Sequence, residues 1–153
     1  MVENTSAGAG SIWNKNSWHW EDKNYSKVAE DFLRARIPQV TVQETNPPCT
    51  IQLYDLKTIK GSAQVTIRKQ KSIFLFEYDL DIYFRAVSEG EDKEEAKGLI
   101  HLKELNQDDE EFEVTCTCEN PSDFATLVRK AIQKNFHRHL LTLFKDLKAH
   151  CLQ

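Results

Sequence analysis

The chain has 153 residues, 40% of them hydrophobic, enough for one domain with a sizeable core. Its formal net charge of −4 sets it apart from general nucleic-acid binders, which lean basic. No apolar run approaches the roughly 20 residues of a membrane-spanning helix, and "MVENTSAGAGS" has neither part of a signal peptide, so the expectation is a cytoplasmic protein without membrane contact, its four cysteines free thiols.

Residues 1–11 are small and polar and read as a disordered tail. "NKNSWHW", Asn14–Trp20, follows, and all three tryptophans of the chain fall within residues 13–20. Tryptophan is enriched in binding hot spots, and the amides of Asn14 and Asn16 can fix a turn or bond a partner's backbone. The residues alone leave two readings open. Trp18, His19 and Trp20 form a recognition arm, or Trp18 or Trp20 folds back to staple the first helix.

That helix is expected over Ser26–Arg36, with Val28, Ala29, Phe32 and Leu33 on one face and Lys27, Glu30, Asp31 and Arg34 outward. Pro38 closes it, and Pro47-Pro48 marks a second break. Strand alternation then shows at Ile51 and Leu53, and again at Val65 and Ile67 after Gly61. The clearest element is "SIFLFEYDLDIYFRAV": Phe74, Phe76, Tyr78, Leu80, Ile82 and Phe84 hold successive even positions, the period of a long strand with one buried face. "EGEDKEEAKG" (89–98) reads as a charged connection, Ile100 and Leu102 restart a strand, and "NQDDE" turns the chain. Phe112, Val114, Cys116 and Cys118 alternate against polar residues, extending an antiparallel meander of about four strands. From about Ser122 to His150 a long helix carries Phe124, Leu127, Val128, Ala131, Ile132, Phe136, Leu140, Leu143, Phe144 and Leu147 as one stripe, with Ser122 or Asp123 as its cap. The expected fold is a single elongated α+β domain, the long helix lying on the apolar sheet face.

Catalytic patterns are missing from the sequence. It has no phosphate-binding glycine motif and no G-x-S-x-G. His137 and His139 lie about 200° apart round a helix and cannot share a metal from one face; they read as a solvated or helix-end pair. Cys116 and Cys118 share the apolar strand face and read as small buried hydrophobes. The acidic runs at 89–95 and 108–111 read as solvated loops. No cofactor is expected.

"RKQKSIFLF" is harder to explain by structure alone. Arg68, Lys69 and Lys71 place three positive charges within four residues of an acidic chain, and Ile73 and Leu75 follow on the odd face, opposite the phenylalanines. A basic cluster beside exposed aliphatics fits an acidic, partly apolar protein surface. The alternative is a hairpin whose odd face is covered by the chain's own segments.

These two stretches together resemble a known family, the N-terminal domain of the activator of heat shock protein 90 ATPase. Its members open on Asn-x-Asn-Asn-Trp-His-Trp, followed shortly by Lys or Arg and then Asn or Asp; "NKNSWHWEDKN", residues 14–24, departs only at Ser17. Members also carry Arg-Lys-x-Lys before a long strand, commonly with glycine at x, where this chain has Gln70. The resemblance runs over roughly residues 12–150. It implies a co-chaperone, not an enzyme: a monomer that docks on the chaperone's middle segment, helps rearrange a loop bearing a catalytic arginine, and speeds ATP hydrolysis. By that resemblance the partner-binding residues are Asn14, Asn16, Trp18, His19, Trp20, Arg68, Lys69 and Lys71, and the odd-face aliphatics Ile73 and Leu75 suit an apolar anchor beside them. A lipid- or small-ligand-carrying α+β domain is the alternative and needs a cavity between helix and sheet; an unrecognised hydrolase lacks a nucleophile–base pair.

Overall fold

The computed structural model describes residues 21–106 and 112–152. The expected tail (1–11), the motif residues Asn14, Asn16, Trp18, His19 and Trp20, and most of the turn at 106–110 lie outside the described residues.

In chain order the elements are β1 (Glu21–Asn24), α1 (Ser26–Arg36), a 3-10 turn (Ile37–Gln39), β2 (Thr41–Thr45), β3 (Pro48–Arg68), β4 (Lys71–Ser88), β5 (Glu95–Asn106), β6 (Val114–Cys118) and α2 (Asp123–Leu152). The sheet is antiparallel throughout, in the order β1-β3-β4-β5-β6, and β2 pairs with the opposite end of β3. Among the described residues it therefore has six strands, not about four. Both extra strands escape a pattern search because they are too short to show a period. "EDKN" is wholly polar, and "TVQET" turns only Val42 into the core. Pairing with β3 makes them strands.

β3 itself is one strand of 21 residues where the alternation had shown two fragments. Register shifts at Leu53/Asp55 and Leu56/Thr58 explain this. An extra residue in one strand reverses which parity faces the core. Ile51 and Leu53 point inward on odd positions, Leu56 on an even one, and Ala63, Val65 and Ile67 on odd ones again. β4 has no such interruption in its alternation, so Phe74 to Phe84 are all buried on even positions. β5 starts at Glu95, five residues before the expected restart at Ile100, because small residues carry its inward face. A Cβ on Gly98 would lie 1.9 Å from the Thr117 carbonyl oxygen, so the neighbouring strand demands a glycine there.

α1 spans the expected residues. Its entry is held by Asn24, whose side-chain oxygen accepts the Ser26 N–H (2.8 Å), and by Tyr25, whose N–H donates to the Ala63 carbonyl (2.8 Å). Ala29 and Leu33 are buried, whereas Val28, expected on the same face, is exposed. α2 begins as expected at the cap, with the Ala125 N–H donating to Ser122 Oγ at 2.9 Å. It covers β4, β5 and β6 with the expected stripe, except that Leu127 turns out to solvent.

The core is the layer between both helices and the even face of β4. Phe76 is central to it. Its ring sits 5.3 Å from Phe74 and 6.4 Å from Phe144 on α2, joining sheet to helix. Phe76→Ala is expected to cost roughly 3–5 kcal/mol, as for other buried aromatic truncations. Urea denaturation of the variant measures it, and a midpoint like the parent's would mean that Phe76 is not part of the packed layer.

A basic hairpin tip beside the first strand

Arg68 ends β3 and Lys71 begins β4, directly opposite each other, so Lys69 and Gln70 form a two-residue turn. Both have positive φ, 49° and 66°, the pair of left-handed residues that a type I′ hairpin turn requires. That turn suits the strand twist but strains side-chain-bearing residues, which is why glycine is favoured there. Lys69 and Lys71 are exposed and, among the described residues, lie within 4 Å of no carboxylate. The hairpin thus concentrates positive charge at its tip and places Arg68 and Lys71 as a like-charged pair, an arrangement that destabilises a ladder.

The next rows on the outer sheet face carry the aliphatics. Ile73 lies opposite Thr66, and Leu75 opposite Gln64. Ile73 is 51% exposed, more than any other large hydrophobic residue among those described, while Leu75 is half-buried. Beyond them Lys60, Ser62, Glu77 and Asp79 line an open concavity of about 400 Å³ over Gly61. The same face continues to His101, whose Nδ1 lies 2.6 Å from Asp81 and Nε2 3.3 Å from Thr117 Oγ1, and to Tyr54 stacked on Tyr83 at 5.6 Å. Sequence periodicity marks these only as outward residues. It does not show that four strands bring them onto one face.

β1 was missed altogether, and it connects the two singled-out stretches. Glu21 pairs with Ile67, next to Arg68, and Asp22 with Thr66. The Thr66 hydroxyl, on a residue only 2% exposed, donates to Asp22 Oδ1 at 2.9 Å. The chain leaving Trp20 is therefore fixed one strand away from the basic tip. No sequence signal foretold that pairing, because it depends on where β3 lies.

The shifted titrations lie elsewhere and count against thiol chemistry. Burial pushes Cys49 and Cys151 up to about 11 and raises Cys116 and Cys118 as well. All four thiols stay protonated at neutral pH, and the protonated form is neither nucleophile nor metal ligand. Cys116 is buried as expected; Cys118 is half-buried, with its thiol 3.6 Å from the Ala125 carbonyl. The histidines differ from the expected solvated pair. His137 stacks on Phe112 at 4.4 Å, and His139 meets Phe136 edge-on, its pKa lowered by burial and by Arg138. The bulk of Phe74, Phe84 and Phe136, each at most 1% exposed, occupies the layer where a carried lipid would have to sit.

Two substitutions probe this corner. Gln70→Gly is expected to stabilise the protein by about 0.5–1 kcal/mol, the relief of a left-handed side chain less the added freedom of the unfolded chain. Asp22→Ala leaves the buried Thr66 hydroxyl without its acceptor and is expected to cost about 1–2 kcal/mol. Thermal melts check both, and a Gln70→Gly variant that melts lower would contradict the turn geometry.

Comparison with known proteins addresses the family and the fold. Residues 22–151 match the family described as Activator of Hsp90 ATPase, N-terminal. The bovine activator of 90 kDa heat shock protein ATPase homolog 2 is 29% identical over 97 residues, 63% of this chain and 36% of its own length. The Saccharomyces cerevisiae Hsp90 co-chaperone HCH1 is 24% identical over 110 residues, 67% of this chain and 72% of that one. The chain thus spans little more than a third of the first relative and most of the second. Among solved structures, Aha-1 from Plasmodium falciparum superposes with a TM-score of 0.70 at 19% identity, over 86% of this chain and 87% of that one. The human Aha1 N-terminal domain gives 0.57 at 17% identity, over 83% and 92%. The structural likeness establishes the α+β fold, and the match over residues 22–151 establishes the lineage: this chain belongs to the family of Hsp90 ATPase activator N-terminal domains.

Proposed function

We propose that this protein is a co-chaperone that binds the middle segment of Hsp90 and stimulates its ATP hydrolysis, working as a cytoplasmic monomer without a cofactor or catalysis of its own. The supporting observation is the hairpin corner. Three cations at a strained turn stand beside the most exposed large aliphatic side chain described, in a family whose members are named as activators of that ATPase. Arg68, Lys69 and Lys71 supply attraction for acidic groups near the chaperone's mobile loop, and Ile73 and Leu75 the apolar anchor.

The mechanism is differential binding. A bound protein accelerates hydrolysis only if it holds the competent conformation more tightly than the resting one. Each 1.36 kcal/mol of that difference that reaches the barrier is worth about tenfold in rate. Asn14, Asn16, Trp18, His19 and Trp20 are the residues we assign to the later, closed state. Their chain enters beside the hairpin through β1, so docking of the tip raises their effective concentration at a neighbouring surface.

The test is a chaperone ATPase assay with and without this chain. Stimulation is expected, and all hydrolysis should stop when an inhibitor fills the chaperone's nucleotide site; activity surviving the inhibitor would point to a separate enzyme. Arg68→Ala with Lys69→Ala should weaken middle-segment binding and flatten its salt dependence, since fewer charges remain to be screened. Removing residues 1–20 leaves β1 in place and should lower stimulation far more than middle-segment affinity or melting temperature. If stability falls instead and stimulation only follows the folded fraction, the tryptophans are a staple on the fold.

A further inference from the structure

The face of α2 turned away from the sheet has a charge pattern that the hairpin corner does not explain. Leu127, Lys130, Lys134, Arg138, Leu141, Lys145 and Lys148 follow one another at steps of three or four residues. At 100° per residue they fall within an arc of about 80°, a stripe on the order of 30 Å long. All are exposed except the half-buried Leu141, and Leu127 is 47% exposed. Among the described residues none of the five cations lies within 4 Å of a carboxylate. Of the two acids of α2, Asp123 opens the first turn, one turn before the stripe begins at Leu127, and Asp146 lies off the stripe, turned toward α1, where it pairs with Arg36 at 3.0 Å.

α1 shows what an ordinary solvated face looks like in this protein. There Lys27 pairs with Asp31 and Arg34 with Glu30, opposite signs one turn apart. On α2 the one-turn neighbours Lys130 and Lys134, and Lys134 and Arg138, share a sign, which weakens a helix. The helix dipole favours Lys145 and Lys148 near the C-terminus but gives no support to cations nearer the N-terminus. Among the described residues, Lys130, Lys134 and Arg138 therefore carry a local cost that no ion pair offsets, in a chain whose net charge is −4.

We propose that this stripe is a docking face for an acidic amphipathic helical segment of a partner protein, whose carboxylates meet the five cations and whose apolar residues meet Leu127 and Leu141. Charge complementarity identifies the occupant's sign, and the two leucines its class. Leucines set within the basic row offer nothing to a phosphate backbone, and two of them are too little apolar surface to seat a helix in a bilayer.

The test uses the full chain and a labelled synthetic peptide of about 21 residues, long enough as a helix to cover the stripe. The peptide carries glutamates at steps of three and four residues and leucines matched to the spacing of Leu127 and Leu141. Its binding should weaken as salt rises and its helical circular dichroism should increase on mixing. Lys130→Glu, Lys134→Glu and Arg138→Glu together should lower affinity at least about tenfold. Lys69→Glu with Lys71→Glu, at the hairpin, should leave it within about twofold. The glutamine versions of the three stripe residues give the same reading should charge reversal impair folding. The proposal fails if the peptide does not bind at low salt, if the hairpin variant loses it and the stripe variant does not, or if a scrambled peptide of equal composition binds as well. Tighter binding of anionic vesicles or single-stranded RNA than of the peptide would also overturn it.

Discussion

The register of β3 on β4 is the constraint on which everything else rests. Two strands of 21 and 18 residues run antiparallel from Cys49 opposite Ser88 to Arg68 opposite Lys71. A slip of one residue would send Phe74, Phe76 and Phe84 to the outer face and bring Glu77, Asp79 and Asp81 inward. Burial of the aromatic set fixes the register from one end, and the two-residue turn at Lys69 and Gln70 fixes it from the other. β1, β2 and β5 are then added to edges already in place, and α2 closes the apolar side.

That arrangement leaves one end of the hairpin for recognition. The turn adopts the geometry its twist requires even though neither residue is glycine, and three cations gather within four residues at its tip. Next to them, Ile73 is held outward by the same alternation that buries Phe74 and Phe76. Apolar exposure at the tip is thus a direct consequence of the register. The β1 pairing adds a second consequence, because it anchors the chain after Trp20 at that corner through the buried Thr66–Asp22 hydrogen bond.

The molecule also distributes its charge unevenly. The outer sheet face is mixed, with Lys60 opposite Asp79 and Arg85 paired with Glu95, whereas the outer face of α2 is basic along much of its length. A chain with a small negative net charge can therefore present a local potential of the opposite sign, which composition alone would not suggest.

How much of this was legible from the residues follows from the range of the forces involved. β4, α1 and α2 were visible at nearly their true boundaries, because each repeats its own period without interruption and carries local signals such as the Ser122 cap. The basic cluster and the outward Ile73 and Leu75 were legible for the same reason, since alternation assigns a face without reference to any other element. β1 and β2 were not, because a strand of four or five residues exists only through its partner's backbone hydrogen bonds. The unity of β3 was hidden by bulges that exchange its inward parity, and the exposure of Val28 and Leu127 by the angle at which each helix meets the rest. Sequence by itself determined which faces are apolar and where charge is concentrated, since side-chain chemistry and local period suffice for that. Only the tertiary structure decided that the chain after Trp20 lies beside Arg68, because that proximity comes from long-range strand pairing, which leaves no mark in the local sequence.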